Sequence, residues 1–120
     1  LENQDIPPEM HQQYFQKMQS ELNDLIRIRP DAVKARIYLA KLYTAVGAYS
    51  EAEVLLNDAL SVQPNNFKIY LGLMKLRMEQ GRWDEALAYV KSAKRKAGFS
   101  GLSINEDLIE QIREKAKSGI

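Results

Sequence analysis

The side chains in this sequence that could do chemistry are carboxylates and lysines, because the chain contains no cysteine and a single histidine, His11. Cysteine nucleophiles, disulfides and cysteine zinc sites are therefore excluded, and no second histidine is present for a metal site. Two close carboxylate pairs, Glu51 with Glu53 and Asp84 with Glu85, fall where helices are expected to start, and there the helix dipole favours negative charge. The sequence also lacks a G-x-S-x-G elbow, a P-loop and a G-x-G-x-x-G motif. We predict a protein that is not an enzyme and holds no metal or cofactor.

Lysines recur at a regular spacing in two stretches of the chain. Lys34 and Lys41 are seven residues apart, and the same spacing recurs between Lys68 and Lys75. Residues seven apart lie on one face of a helix, so each pair predicts a basic stripe. Clustered ammonium groups attract carboxylates at short range, and salt screens that attraction. The alternative is that these lysines only keep an exposed helix face soluble. Apolar residues share the two stripes, namely Ile37, Tyr38, Ala45, Leu71 and Met78.

The spacing of the lysines belongs to a 34-residue repeat. Between its markers the apolar residues recur at helical spacing. Its glycines predict left-handed helix ends, its alanines predict close helix crossings, and its aromatic residues are expected to cover the turns. Each unit is therefore predicted to be two helices joined by a short turn. Shifting the sequence by one repeat length aligns Gly47 with Gly81, Tyr49 with Trp83, Ala52 with Ala86, Ala59 with Ala93, and Pro30-Asp31 with Pro64-Asn65.

Capping residues predict where the helices start. Asp31 and Asn65 each follow a proline and are expected to cap the first helix of their unit. Ser50 and Glu53 form an S-x-x-E capping box for the second helix of the first unit. Asp84 is expected to take the same role in the second unit.

The flanking segments also predict helices. An apolar stripe within residues 8–29 indicates a long N-terminal helix, and its latter half falls in repeat register like the second helix of a preceding unit. Near the other end, Ser103 and Glu106 form another capping box. The helix that follows has one apolar side, and its charged side suits a solvent-facing terminal cap. With two helix pairs, these segments predict six helices. The charged side comprises Asp107, Glu110, Arg113, Glu114 and Lys117.

Two matching segments and three single residues of the repeat resemble the tetratricopeptide repeat family. They are Gly47-Ala48-Tyr49-Ser50-Glu51-Ala52 and Gly81-Arg82-Trp83-Asp84-Glu85-Ala86, with Ala59, Pro64 and Ala93. Its unit is a 34-residue antiparallel helix pair, so the resemblance implies an all-α solenoid of stacked helix pairs. Repeat two departs from the family pattern at Met74, where a small residue is usual, and at Arg77, where an aromatic residue is usual; Gly98 replaces the closing proline. The resemblance predicts one domain over 1–120, with an N-terminal helix at 8–29, repeat one at 31–64, repeat two at 65–98 and a capping helix at 103–118.

The first helices of such units line a concave groove that commonly binds extended peptides or partner helices. The resemblance therefore implies a non-catalytic protein–protein interaction scaffold, and the basic stripes favour an acidic or C-terminal-carboxylate peptide. A chaperone-type carboxylate clamp is not predicted, because Ile37 and Gly72 stand where polar clamp residues belong, although Lys68 matches a clamp lysine. The candidate peptide-binding residues are Lys34, Ile37, Tyr38, Lys41, Lys68, Leu71, Lys75 and Met78.

Two other functions stay open. The long apolar stripe of the N-terminal helix favours self-association or packing within a larger protein. Charge is uneven, with a net of −3 over residues 1–32 and +5 over residues 67–100, and the basic segment 91–96 gives a weaker alternative of nucleic-acid binding. That alternative is weakened because Tyr49 and Trp83 are expected to pack rather than stack on bases.

Overall composition limits the remaining possibilities. The 120 residues suit one domain, and 45% apolar with 28% charged residues is ordinary for a globular protein. No apolar run approaches the roughly 18–20 residues of a membrane span, so no membrane partner is expected. Because the chain begins with Leu1 rather than Met, we interpret it as part of a longer protein. The absence of cysteine fits both reducing and oxidising compartments, so the compartment stays undecided.

Overall fold

The computed structural model describes residues 8–97 and 106–118, and within them it contains helices and no strand. The prediction of an all-α fold with six α-helices is confirmed. None of these helices is both long enough and apolar enough to cross a membrane. After a 3-10 turn at Pro8–Met10, the helices are α1 His11–Ile28, α2 Val33–Ala45, α3 Tyr49–Val62, α4 Phe67–Glu79, α5 Trp83–Ala97 and α6 Glu106–Lys117.

Each helix packs against the next one in the chain, from α1 to α6, and α2 also packs directly against α4. This order is that of helix hairpins stacked side by side, with the first helices of the two hairpins in contact. The loops within the hairpins are short, since only residues 46–48 separate α2 from α3 and residues 80–82 separate α4 from α5.

The turns inside the two hairpins have the same geometry. Gly47 and Gly81 adopt φ angles of 82° and 75°, which are left-handed conformations that favour glycine. In each turn the residue after the glycine donates its N–H to a carbonyl five residues back, Ala48 to Tyr43 and Arg82 to Arg77, both at 2.8 Å. The glycines therefore end their helices as Schellman motifs, as the repeat predicts.

The alanines that recur in the repeat lie in the packed interior between helices. Ala52, Ala59, Ala86 and Ala93 are completely buried, and the first two belong to a core cluster shared by α2, α3 and α4. A larger side chain at such a position would push the helices apart, typically at about 1–3 kcal/mol. Met74 stands where the family usually has a small residue, but it does not push the helices apart, because it packs in the cluster between α4, α5 and α6.

Several predicted caps are wrong by one or two residues. Asp31 does not cap α2, whose N-cap is Ala32 with no side-chain hydrogen bond. In the second unit the cap is Asn66 rather than Asn65, and its Oδ1 accepts from the N–H of Lys68 at 3.0 Å. The physical reason is that the residue next to each proline stays in the turn, which leaves the following residue at the helix start.

The predicted capping box of α3 is also wrong. The helix begins at Tyr49, so Ser50 and Glu53 lie inside it, and Glu53 pairs with α4 instead of with its own backbone. Similarly, α5 begins at Trp83, which places Asp84 in the first turn rather than at the cap. Glu106 starts α6, but Ser103 lies outside the described residues.

Candidate functional site

The α2 stripe consists of Lys34, Ile37, Tyr38 and Lys41. Both lysines and Tyr38 are exposed, whereas Ile37 is half-buried and packs against the core cluster of α2, α3 and α4. The other side of α2 is turned inward, since Leu39 and Ala40 are buried. Ile37 therefore contributes mainly to packing, and Tyr38 is the large apolar side chain that this stripe offers to solvent.

The α4 stripe consists of Lys68, Leu71, Lys75 and Met78. Its lysines are exposed, while Leu71 and Met78 are half-buried and pack against the cluster formed with α5 and α6. Because α2 and α4 are in direct contact, the two stripes lie on neighbouring helices. Among the described residues, none of the four stripe lysines has a carboxylate oxygen within 4 Å of its ammonium.

A cavity of about 720 Å³ opens at the end of the α4 stripe. Met78 connects the two, because it belongs to the stripe and also lines the cavity. We call this space the α6 cavity, since most of its lining residues belong to α6, and three of them, Asp107, Glu110 and Glu114, come from the side that the sequence analysis assigned to solvent. The sequence contained a signal for this wall in the four-residue spacing of Glu110 and Glu114 on one helix face. The lining residues are Met78, Trp83, Asp107, Glu110, Gln111, Glu114, Lys115 and Ser118.

An ion-pair network around the buried Arg77 joins the two hairpins. Arg77 is only 5% exposed, and its guanidinium donates to both carboxylate oxygens of Glu53 on α3, at 3.2 and 2.8 Å. Its Nη1 also donates to Gln80 at 2.8 Å, and its Nε lies 2.9 Å from the carboxylate of Glu85 on α5 without hydrogen-bond geometry. The network therefore ties α3, α4 and α5 together.

Charge in this network changes the ionisation of both partners. Hydrogen bonding from Arg77 holds the pKa of Glu53 below its ordinary value, against the opposing effect of burial. The hydrogen bond to Glu53 raises the pKa of Arg77 in return. Both groups are charged near neutral pH, and each stabilises the charge of the other.

One member of each carboxylate pair noticed in the sequence is held in an ion pair. Glu53 and Glu85 are engaged by Arg77, and Glu85 also pairs with Arg82 at 2.7 Å. Across residues 8–97 and 106–118, no group of three or more His, Cys, Asp or Glu side chains is arranged to hold a metal ion. These carboxylates link helices.

The sequence model of the tetratricopeptide repeat matches residues 43–100. The match begins in the last turns of α2 and includes all of α3, α4 and α5. This matched stretch of the chain belongs to the tetratricopeptide repeat family. Such repeats are generally protein–protein interaction modules, and the family consists in general of scaffolds without catalytic activity. No curated protein matches the chain.

The aromatic residues of the two repeat turns are held by packing. The hydroxyl of Tyr49 donates to the carbonyl of Glu79 at 3.3 Å, and Trp83 packs against the cluster of α4, α5 and α6. Both are half-buried. Packing therefore limits how much of either ring a ligand can reach.

The basic segment 91–96 at the end of α5 is partly engaged within the repeats. Lys96 donates to the side chain of Asn65 at 3.0 Å, and Arg95 donates to Ser92 at 3.2 Å. Lys94 lies 4.0 Å from a carboxylate oxygen of Glu106. Lys94 and Lys96 thus contact neighbouring elements, but Asn65 and Ser92 are uncharged, so these contacts leave most of the positive charge of the segment exposed.

A second cavity, of about 340 Å³, lies between α1, α2 and α3. Val54 is an exposed apolar residue in its lining, and the nearby helix α1 also exposes Leu25 and Ile28. The N-terminal stripe is therefore covered only in part, with Leu22 as its buried member. The lining residues are Asn23, Leu39, Tyr43, Ser50, Glu51, Val54 and Leu55.

Proposed function

We propose that the protein is a scaffold that binds an acidic peptide, or the acidic face of a partner helix, along the α2 and α4 stripes. The single observation that carries the proposal is the repeated pair of exposed lysines on two helices in contact, with no intramolecular carboxylate against any of the four ammoniums among the described residues. Such charges are available to a ligand, and complementary charge gives specificity and a faster encounter.

The apolar residues of the two stripes would give the ligand contacts besides charge. Tyr38 is exposed between Lys34 and Lys41, and Leu71 is half-buried between Lys68 and Lys75. An aromatic ring offers a large contact area with few rotatable bonds. The proposed ligand is therefore acidic with some apolar side chains.

The boundaries of the repeats are also proposed here. We propose repeat one at 31–64 and repeat two at 65–98, with 8–29 acting as the second helix of a preceding unit and 103–118 as a cap. A recurring contact supports this register. Gln19 on α1 donates to Tyr43 on α2, and Glu53 on α3 accepts from Arg77 on α4, so that the corresponding partners lie one repeat length apart.

The proposal is tested by measuring fluorescence anisotropy of a labelled, glutamate-rich peptide with a free carboxyl terminus. The variant Lys41→Glu/Lys75→Glu should bind about tenfold more weakly, because each reversal removes one attraction and adds a repulsion of order 0.5 kcal/mol. The matched control is Lys17→Glu/Lys91→Glu, which makes the same charge change at exposed lysines of α1 and α5. If both variants weakened peptide binding equally, the effect would come from net charge alone, and the proposal that the peptide binds along the α2 and α4 stripes would be wrong.

Self-association is a second candidate function. It is favoured by the exposure of Met10, Leu25 and Ile28 at α1, with Ile28 71% exposed. Apolar patches of this kind often mark interfaces. Light scattering over a range of protein concentrations should show a dimer that Leu25→Glu/Ile28→Glu abolishes, and a monomer at every concentration would eliminate this candidate.

A further inference from the structure

The α6 cavity has a chemistry opposite to that of the lysine stripes. Met78 and Trp83 supply apolar and aromatic surface, and α6 adds the carboxylates of Asp107, Glu110 and Glu114. Carboxylates beside an aromatic ring are a suitable environment for a cation, because both the negative charge and the face of the ring attract it. The cavity therefore differs from the stripes in the charge it favours.

The ring of Trp83 already has a cation over it. The ammonium of Lys115 lies 5.8 Å from the centroid of the ring, within the range of a cation–π interaction. Lys115 itself is exposed, so its long side chain can move aside. This contact shows that the ring face is open to an ammonium or guanidinium group from the solvent side.

Two of the α6 carboxylates that line the cavity, Glu110 and Glu114, pair only with exposed residues of the same helix. Glu110 lies 3.0 Å from Arg113 and Glu114 lies 3.8 Å from Lys117, and all four side chains are well exposed. Exposed ion pairs between residues three apart contribute little. A bound cation that also contacts the ring of Trp83 would compete with them effectively.

The cavity and the α4 stripe form one continuous surface through Met78. Ten residues separate Lys68 from Met78, which corresponds to about 15 Å along a helix. An extended peptide covers that distance with about four or five residues. One peptide can therefore reach the lysines and the cavity at the same time.

We infer that the α6 cavity binds a lysine or arginine side chain of the same peptide whose acidic residues lie along the α2 and α4 stripes. The inference rests on the proposed function and deepens it, because it defines the ligand as a peptide whose basic residue lies within about five residues of its acidic ones. Opposite charges at the two ends of the groove also set the direction in which the peptide lies.

Three synthetic peptides test this inference by fluorescence anisotropy. The first has a glutamate segment, a short glycine–serine spacer and one arginine; the second replaces the arginine with glutamine; the third keeps the arginine and replaces the glutamates with glutamine. The first peptide should bind about fivefold more tightly than the second, since it adds one cation–π and ion-pair contact. In Glu110→Gln/Glu114→Gln this advantage should disappear, while binding of the second peptide should hold or improve.

Matched variants test whether a loss of affinity arises at the α6 cavity or from the change in the net charge of the protein. Glu21→Gln/Asp58→Asn removes the same charge from exposed positions on α1 and α3 and should keep the fivefold advantage. Trp83→Phe keeps a ring in the cavity and should reduce the advantage without abolishing it, with thermal unfolding measured to confirm that the variant is folded. An advantage that persists in Glu110→Gln/Glu114→Gln would overturn the inference.

The outcomes distinguish the two proposals. If the first and second peptides bind equally and both depend on Lys41 and Lys75, the groove stands and the cavity inference is wrong. If the second peptide does not bind, while the first and third bind equally well and both depend on Glu110 and Glu114, the cavity takes a cation and the acidic groove is wrong, so the two-charge ligand is rejected as well.

Discussion

Tyr43 and Arg77 occupy the same position in the two repeats, yet they hold neighbouring helices by different forces. Tyr43 accepts a hydrogen bond from Gln19 at 2.6 Å and meets the edge of Phe15, with ring centroids 6.0 Å apart. Arg77 instead pairs with Glu53, which is the counterpart of Gln19 one repeat later. The stacking of hairpins requires a contact at this position, but either an aromatic residue or an ion pair can provide it.

The difference has energetic consequences. The contact of Tyr43 combines apolar area with one neutral hydrogen bond, whereas Arg77 brings a charge to a site where it is only 5% exposed. A charge so far from water depends on its partners, because its lost hydration is offset only while the carboxylates stay close. We therefore expect the junction of α3, α4 and α5 to be more sensitive to substitution than that of α1 and α2.

The largest effect is expected for Arg77→Ala. It should lower the free energy of unfolding by about 3 kcal/mol, because it leaves Glu53 without its main partner and opens a cavity. Tyr43→Ala should cost about 2 kcal/mol, since Tyr43 is only half-buried. Urea unfolding followed by circular dichroism measures both values.

Arg77→Met is the control for this comparison. It keeps most of the volume and removes only the charge, so it should cost less than Arg77→Ala. If Arg77→Ala were the milder of the two alanine variants, the idea that the second junction depends more on its side chain would be wrong.

The second expected effect is a coupling between Glu53 and Arg77. Glu53→Gln and Arg77→Tyr should each destabilise the protein, and the double variant, which copies the Gln19–Tyr43 pair of the first junction, should be more stable than the two losses added together. We expect a coupling of about 1–2 kcal/mol in a double-mutant cycle. Glu51→Gln, an exposed neighbour on α3, should show no coupling with Arg77→Tyr.

The features predictable from the sequence are those that depend on residue type alone. Gly47 and Gly81 were predicted correctly because a left-handed helix end strongly favours glycine. Ala52 and Ala86 were predicted correctly because only a small side chain fits a close helix crossing. Both kinds of residue recur at the 34-residue spacing, and that spacing was enough to predict the fold class.

Other features depend on which residues meet in space, and the sequence could not supply that. Arg77 was recognised only as a departure from the family pattern, since its partner Glu53 lies 24 residues away in another helix. The helix starts were displaced because several residues near each turn can serve as caps. The charged side of α6 is exposed, as predicted, but the sequence did not show that part of it lies beside Met78 and Trp83, because no repeat register connects α6 with α4 and α5.

The third expected effect concerns the two turn glycines, which have the same geometry in both repeats. Gly47→Ala and Gly81→Ala should each cost about 1 kcal/mol, because a left-handed conformation is strained for any residue with a Cβ. No atom lies within 4 Å of the position that either Cβ would take, beyond the immediate chain neighbours, so the cost is conformational in both cases. Thermal unfolding should show equal losses, and clearly unequal losses would mean that the two turns differ in a way their matching geometry does not reveal.

The smallest expected effect is the pH dependence of the Arg77 junction. The pKa of Glu53 is lower in the folded protein than its ordinary value of 4.5, first because of the hydrogen bond from Arg77. A carboxyl group with a lowered folded pKa stabilises the protein above its unfolded pKa, and this contribution is lost as the pH falls through the folded pKa. The effect is small because the side chain of Glu53 is 37% exposed, so solvent screens the pair.

Glu53→Gln is the matched reference for this measurement, because the remaining carboxyl groups are present in both proteins. The difference in melting temperature between the original protein and Glu53→Gln should stay constant from pH 7 to about pH 5 and shrink below pH 4.5, where the unfolded chain binds the proton before the folded one does. The corresponding comparison with Gln19→Ala should show no such change, since the contact between Gln19 and Tyr43 involves no charged group. A difference for Glu53→Gln that stays constant down to pH 3 would mean that the ion pair contributes nothing to stability, and the two junctions would then differ in geometry without differing in strength.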